Sequence, residues 1–203
     1  APGSPALDLE GYRLTDNDLV PDKFVFGAGA SIAPGERLVL CADTNPGGAS
    51  GTWLGFALKA DGDDLTLLDA GGAVVDSLVW GLQVEDYSLA RGPDGTWGIA
   101  QPTVGAENDV LRTGDPAAVR INEWFVDGQV VLTDDFIELY NTDPLPVPLA
   151  GLSLTDNTAS VPGRYTFAPL SFIAPSGYRV LTADDDTGAG GDHLGWKLSP
   201  YQE

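Results

Sequence analysis

The densest concentration of groups able to do chemistry is the run Asp184-Asp185-Asp186-Thr187-Gly188-Ala189-Gly190-Gly191-Asp192. Ca²⁺ takes its oxygen ligands from carboxylates and loop carbonyls, and a flexible acidic, glycine-rich loop offers both. Asp184, Asp186 and Asp192 are therefore the candidate metal ligands, and Ca²⁺ is the candidate cofactor. The spacing of acids, turn glycine and distal glutamate is not that of an EF-hand. Asp61-Gly62-Asp63-Asp64 is a second, shorter acidic candidate. The alternative for both is a solvated acidic turn.

Asn122, Glu123 and Glu138 lie within apolar, strand-like runs. A carboxylate inside a strand is costly unless paired. The reading is a framework polar network of Asn122, Glu123 and Glu138, with Arg91 from another segment as the cationic partner. A glycosidase would need two facing acids about 5–10 Å apart across a cleft, and no cleft-forming helix or long loop is visible. Nucleophilic catalysis needs a histidine base held by an acid and facing Ser or Cys. His193 is the only histidine, and it stands at a loop-to-strand junction where a solvated role is expected. Of the five tryptophans, Trp124 and Trp196 fall in apolar runs and are expected in the core. Trp97, beside Asp94-Gly95, is expected at the surface. No catalytic residue is expected.

The elements that hold these groups must be strands. The 203 residues include 26 glycines and 15 prolines, spread along the chain between short apolar runs. Such punctuation breaks helices and makes the turns of a many-stranded β fold. Hydrophobic residues make up 43% of the chain, enough for a core and too many for disorder. No apolar run is long enough to span a membrane as a helix, so membrane insertion is not expected. The net charge is −20, with ten basic residues scattered among thirty acidic ones. Phosphate neutralisation needs the opposite balance, so no nucleic-acid partner is expected. Cys41 is the single cysteine, which excludes a disulfide within the chain.

Internal similarity is the strongest signal. Leu9-Glu10-Gly11-Tyr12-Arg13-Leu14-Thr15-Asp16-Asn17 matches Leu149-Ala150-Gly151-Leu152-Ser153-Leu154-Thr155-Asp156-Asn157. Phe24-Val25-Phe26 matches Tyr165-Thr166-Phe167, and Ile32-Ala33-Pro34-Gly35 matches Ile173-Ala174-Pro175-Ser176. Val39-Leu40-Cys41-Ala42-Asp43 matches Val180-Leu181-Thr182-Ala183-Asp184, and Leu54-Gly55-Phe56 matches Leu194-Gly195-Trp196. The order is kept, at an offset of about 140 residues. Residues 1–108 form a first unit lacking its first strands, 109–118 a linker, and 119–203 a second unit lacking its last strands. The chain thus holds one head (Ile121–Tyr140), two middles and one tail (Asp61–Asn108). One domain can be completed from these parts, by the head adding to the first middle. The second middle then keeps open edges, which invite pairing with another chain. Ala1 falls in what reads as mid-domain, so a mature or excised piece of a longer polypeptide is expected.

These blocks resemble the lamin tail domain as it occurs in secreted bacterial proteins. The matching residues are Ile121-Asn122-Glu123-Trp124 and Phe136-Ile137-Glu138-Leu139-Tyr140-Asn141 at the head, and Leu149-x-Gly151-x-x-Leu154-Thr155-Asp156 and Ile173-x-Pro175-x-Gly177-Tyr178 in the middle. In the tail they are Val75-Asp76-Ser77, Trp80-Gly81, Ser88, Arg91, Asp94-Gly95, Trp97 and Gly105-x-x-Asn108, with Val104 where the motif usually has Pro. The resemblance implies an all-β, immunoglobulin-like sandwich in two related units, without catalytic residues, acting outside the cell or at its surface. The expected function is structural: a scaffold, adhesion or filament module working through β-edges and sandwich faces. Its partners would be other domains of a longer chain, other protein chains, or copies of itself in a homo-oligomer or filament formed by strand exchange. The alternative is an accessory module that binds a glycan or surface polymer for a larger secreted enzyme.

Overall fold

The computed structural model describes residues 5–44, 52–127 and 134–199. In chain order the first strands are β1 (Leu7–Asp8), β2 (Arg13–Thr15), β3 (Phe24–Val25), β4 (Ser31–Ile32), β5 (Leu40–Cys41), β6 (Thr52–Trp53), β7 (Asp63–Leu68) and β8 (Val74–Trp80). They are followed by β9 (Ser88–Arg91), β10 (Trp97–Gln101), β11 (Asp109–Val110), one 3₁₀ turn (Pro116–Ala118) and β12 (Val119–Phe125). The last are β13 (Asp135–Asn141), β14 (Val147–Pro148), β15 (Ser153–Leu154), β16 (Tyr165–Thr166), β17 (Phe172–Ile173) and β18 (Tyr178–Ala183). The chain is all-β, as expected, and the stretch read as a linker carries β11, which pairs antiparallel with β10.

The two repeats build the same local structure from matched residues. In each, Leu-x-Gly makes a turn in which the residue after glycine donates back to the leucine carbonyl: Tyr12 N to Leu9 O and Leu152 N to Leu149 O, both 2.9 Å. Gly11 and Gly151 sit there at φ +79° and +85°, which a side chain would strain. The following threonine caps its own loop. Thr15 Oγ1 accepts from Asn17 N at 3.0 Å, and Thr155 Oγ1 accepts from Asn157 N at 3.0 Å. Phe24–Phe26 and Tyr165–Phe167 form edge-to-face pairs, each with centroids 5.0 Å apart. Lys23 lies over Phe56 and Arg164 over Trp196, at 4.6 and 5.0 Å from the ring centres. Alternating apolar residues place Leu9, Leu14, Phe26, Leu54 and Phe56 in one core. Their counterparts Leu149, Leu154, Phe167, Leu194 and Trp196 belong to the other.

The compact units cut across the repeats. The first comprises residues 1–59, 63–79 and 103–107; the second comprises 60–62, 80–102 and 108–203. In the first unit, β3-β2-β7-β8 form one sheet, β1 pairs with β4, and β5 pairs in parallel with β6. The second unit contains a three-stranded sheet, β12-β13-β18, built by the head hairpin on the last strand of the second middle. It also contains β11-β10-β9 and the pair β14-β17. The head therefore pairs within its own repeat and not with the first middle. Loop-closure entropy favours this, because the chain between β13 and β18 is far shorter than the chain back to the first middle.

The tail completes the second unit. Gly81 N donates to Pro169 O at 2.9 Å, Phe172 N donates to Leu82 O at 2.8 Å, and Leu82 N donates to the buried Ser171 Oγ at 3.1 Å. The approach is close enough to require glycine: a Cβ on Gly81 would lie 2.1 Å from Ser171 Oγ and 2.9 Å from Ala168 Cβ. Leu82, 1% exposed, enters the core beside Leu149 and Phe167. Leu82→Ala should cost about 2–5 kcal/mol, read as a lower urea midpoint. Leu19→Ala, at a residue 91% exposed, should stay within about 0.5 kcal/mol of the parent.

Candidate functional site

The acidic loop after β18 folds back along that strand. A parallel bridge from Thr182 to His193 brings the histidine level with the carboxylates that precede it. His193 Nδ1 and Asp184 Oδ2 are 2.7 Å apart. The other carboxylate oxygens serve the loop backbone: Asp184 Oδ1 accepts from Asp186 N, and Asp186 Oδ1 from Gly188 N, both at 3.1 Å. Asp192 contributes its main-chain carbonyl, which accepts from Thr182 N at 2.9 Å. Among the described residues no three His, Cys, Asp or Glu side chains converge as a metal ligand set would. The counterpart loop in the first repeat falls on 45–51, outside the described residues.

Asp61 and Asp63 of the shorter acidic run act as backbone acceptors. Asp61 Oδ2 accepts from Gly191 N at 3.3 Å, while Asp63 Oδ2 accepts from Lys59 N at 2.9 Å. Burial, followed by the charges of Asp18, Asp63 and Asp16, pushes the Asp64 carboxyl pKa up. A cleft of about 260 Å³ opens in the second unit, lined by Asp61, Leu82, Tyr165, Ser171 and His193 among others. Tyr165 donates to Gly191 O at 2.6 Å. Burial, then the charge of Asp192, pushes its phenol up to about 12. The Ser171 hydroxyl donates to Ala168 O at 2.8 Å and accepts from Leu82 N at 3.1 Å.

The expected polar network forms in part. Asn122 Nδ2 donates to Glu138 Oε1 at 2.6 Å, and Glu123 stands opposite Glu138 in the register. Asn122 is the extra residue of a bulge in β12, which turns its amide toward Glu138. Arg91 lies on β9 with its guanidinium 5.0 Å from the centre of the Trp97 ring, and its carbonyl accepts from Asn108 Nδ2. Asn141 is the polar anchor that the sequence reading missed. It is fully buried, donates to Leu145 O and Ala174 O at 2.8 and 2.9 Å, and accepts from Asp143 N at 2.9 Å. A polar amide ending an apolar strand was the available signal.

The head sheet presents two different faces. Residues directly opposite in antiparallel strands share a face. Leu139 and Leu181 mark the inner one, so Ile121 and Trp124, their row-mates, also point inward. Trp196 is buried as expected, but Trp124 is not: it and Ile121 are each 64% exposed. Among the described residues β12 pairs only with β13, so its inward side chains overhang the core edge. On the outer face Tyr140 stacks on Tyr178 with centroids 4.6 Å apart, and Phe125 on Phe136 at 5.7 Å. The Glu123–Glu138 row lies between these aromatic pairs.

The all-β chain, built from several small antiparallel sheets, has the architecture of an immunoglobulin-like sandwich module. The family comparison places the chain further. The lamin tail domain model matches residues 2–82 and 112–200, so the chain belongs to the lamin tail domain family, whose members are non-enzymatic immunoglobulin-like domains. No curated protein and no solved structure matches the chain.

The histidine pair has a definite pH signature. The hydrogen bond that His193 donates to Asp184 raises the His193 pKa; burial opposes this, and the charges of Asp184, Asp192 and Asp186 reinforce it. Burial pushes the Asp184 carboxyl up, but the Asp186 amide and His193 outweigh it and hold the value below the usual range. The stabilisation from His193 is full below the unfolded value near 6.5 and is lost as pH rises through the folded value. That from Asp184 is present above its unfolded value and is lost as pH falls through the folded one. An NMR titration should place His193 above an ordinary histidine, and Asp184→Asn should bring it back down.

Proposed function

We propose that this lamin tail chain is a non-catalytic assembly module, acting outside the cell or at its surface through β-edges. The observation that carries the reading is the tail segment docked by main-chain hydrogen bonds on the Pro169–Phe172 edge. It joins elements of different repeats by the chemistry that also joins chains in β-augmentation. The strongly acidic surface and the secreted proteins whose motifs it resembles support the extracellular setting. The charge of −20 opposes self-association, so assembly should strengthen as salt screens it. Sedimentation at rising protein concentration should show a mass above that of one chain, increasing from low to moderate salt. A single-chain mass throughout would sink the reading.

The stacked aromatic pairs on the outer face of the head sheet favour one second reading, a glycan-binding accessory module. Aromatic faces flanking carboxylates suit a hydroxylated chain, with rings for its apolar faces and acids for its hydroxyls. On that reading Tyr178→Ala abolishes retention on insoluble polysaccharide and leaves the mass distribution unchanged.

A further inference from the structure

The cleft of about 260 Å³ is built entirely from residues of the second unit. Its walls are fixed by close main-chain contacts. Gly191 N donates to Asp61 Oδ2 at 3.3 Å, and Gly191 O accepts from the Tyr165 hydroxyl at 2.6 Å. A Cβ on Gly191 would lie 1.8 Å from Asp61 O, and one on Gly190 would lie 2.4 Å from Asp61 Oδ2. Gly81 approaches Ser171 as closely, and Ser171 is held in turn by Ala168 O and Leu82 N. A cavity held this way is formed before any ligand arrives, which lowers the ordering cost of binding.

What the walls offer defines the ligand. Asp61 bonds through Oδ2 and His193 through Nδ1, so Asp61 Oδ1 and His193 Nε2 have no partner among the described residues. Tyr165, Thr166, Ser171 and Thr187 add four hydroxyls, each able to accept a further hydrogen bond. Leu82 and Ala168 add apolar surface. This combination suits a ring with hydroxyls on its rim and C–H groups on its faces. Anions are repelled by Asp61 and by the net charge of −20. A bare metal ion lacks a ligand set, since no three His, Cys, Asp or Glu side chains converge among the described residues. The volume falls below the roughly 300–1,000 Å³ of sites for drug-sized ligands, which limits the occupant to about one ring.

We propose that this cleft binds one neutral sugar residue, with Asp61 Oδ1 accepting from its hydroxyls and Leu82 and Ala168 meeting its C–H groups. Neighbouring ring hydroxyls suit a carboxylate, whose charge-assisted hydrogen bonds are roughly twice as strong as those of a neutral acceptor. The site uses none of the stacked aromatic pairs of the head sheet. It therefore stands or falls apart from both the assembly reading and the glycan reading of those pairs.

The test titrates the isotopically labelled full chain with methyl glycosides of glucose, galactose, mannose and N-acetylglucosamine, followed by NMR through the amides of Leu82, Gly190 and Gly191. Glycerol and ethylammonium serve as an open-chain polyol and a cation. The expected result is a saturable shift of all three amides with at least one glycoside, at about millimolar Kd for a ligand of so few atoms. Asp61→Asn keeps an oxygen for Gly191 N but removes the charge, and lowers the affinity about tenfold. Thr187→Val, at an exposed position, lowers it by a smaller factor and leaves the wall contacts alone. Thermal melts like the parent's establish that both variants keep the fold; where Asp61→Asn does not, Thr187→Val decides. No saturable shift with any glycoside overturns the proposal, as does saturation by ethylammonium alone. Saturation that neither variant weakens overturns it as well. Shifts confined to Tyr140 and Tyr178 move the sugar to the head sheet, which overturns this site and leaves the glycan reading standing.

Discussion

Every strand of a sheet has two edges, and each edge carries main-chain donors and acceptors that must be paired or left in water. The structure of this chain follows from how it meets that requirement with unequal parts. The second middle has β13 on one side of β18 and the fold-back at His193 on the other. Its β17 has β14 on one side and the tail segment at Leu82 on the other. The first middle has tail strand β7 beside β2, while among the described residues β5 pairs only with β6. Hydrophobic burial tracks this pairing. Ile173 and Leu181 are sealed where main-chain partners bring in Leu139 and Leu82, while Ile32 and Leu40 are half-buried. Backbone pairing therefore sets the quality of the core here, beyond the identity of the core residues.

The polar residues that looked most chemical serve the same end. Asp184 and Asp186 accept from loop amides two residues on, the geometry with which short acidic side chains stabilise turns. Asn141 ties the end of β13 to Leu145 and Ala174, and its carbonyl oxygen receives Asp143 N. Its buried amide is fully engaged, which is the condition for a polar side chain to be tolerated in a core. The Glu123–Glu138 row is different. Two like charges stand opposite each other across the strands there, and the Asn122 amide donates to Glu138.

The fold was legible in the sequence because local signals repeat. Leu-x-Gly turns, threonine caps and edge-to-face aromatics each occur twice, and each depends on residues close in the chain. The choice of partner for the head and tail was not legible. It depends on competition among edges that all carry similar apolar alternation, decided by chain length between them and by fits as specific as Gly81 against Ser171. Trp124 was misplaced for the same reason: an apolar run predicts a strand but not whether that strand lies at an edge. His193 was read as solvated because its acid partner precedes it by nine residues, and only the fold-back of the loop brings them together.

Edges that are meant to stay solitary are usually defended with proline, lysine, bulges or inward charges. β12 has a bulge at Asn122, but beyond it Trp124 and Phe125 return to regular pairing, and neither lysine nor proline occurs in Val119–Phe125. Arg37–Ala42 holds one arginine at its start and five apolar or thiol side chains after it. The defence in this chain is global: a net charge of −20 repels copies at long range. At physiological salt such repulsion is screened beyond about 8 Å, whereas main-chain hydrogen bonds and apolar contacts act only within that distance. Long-range charge then limits encounters without weakening the contact once formed. On the assembly reading proposed above, such a chain stays dispersed when dilute and pairs through its edges when concentrated.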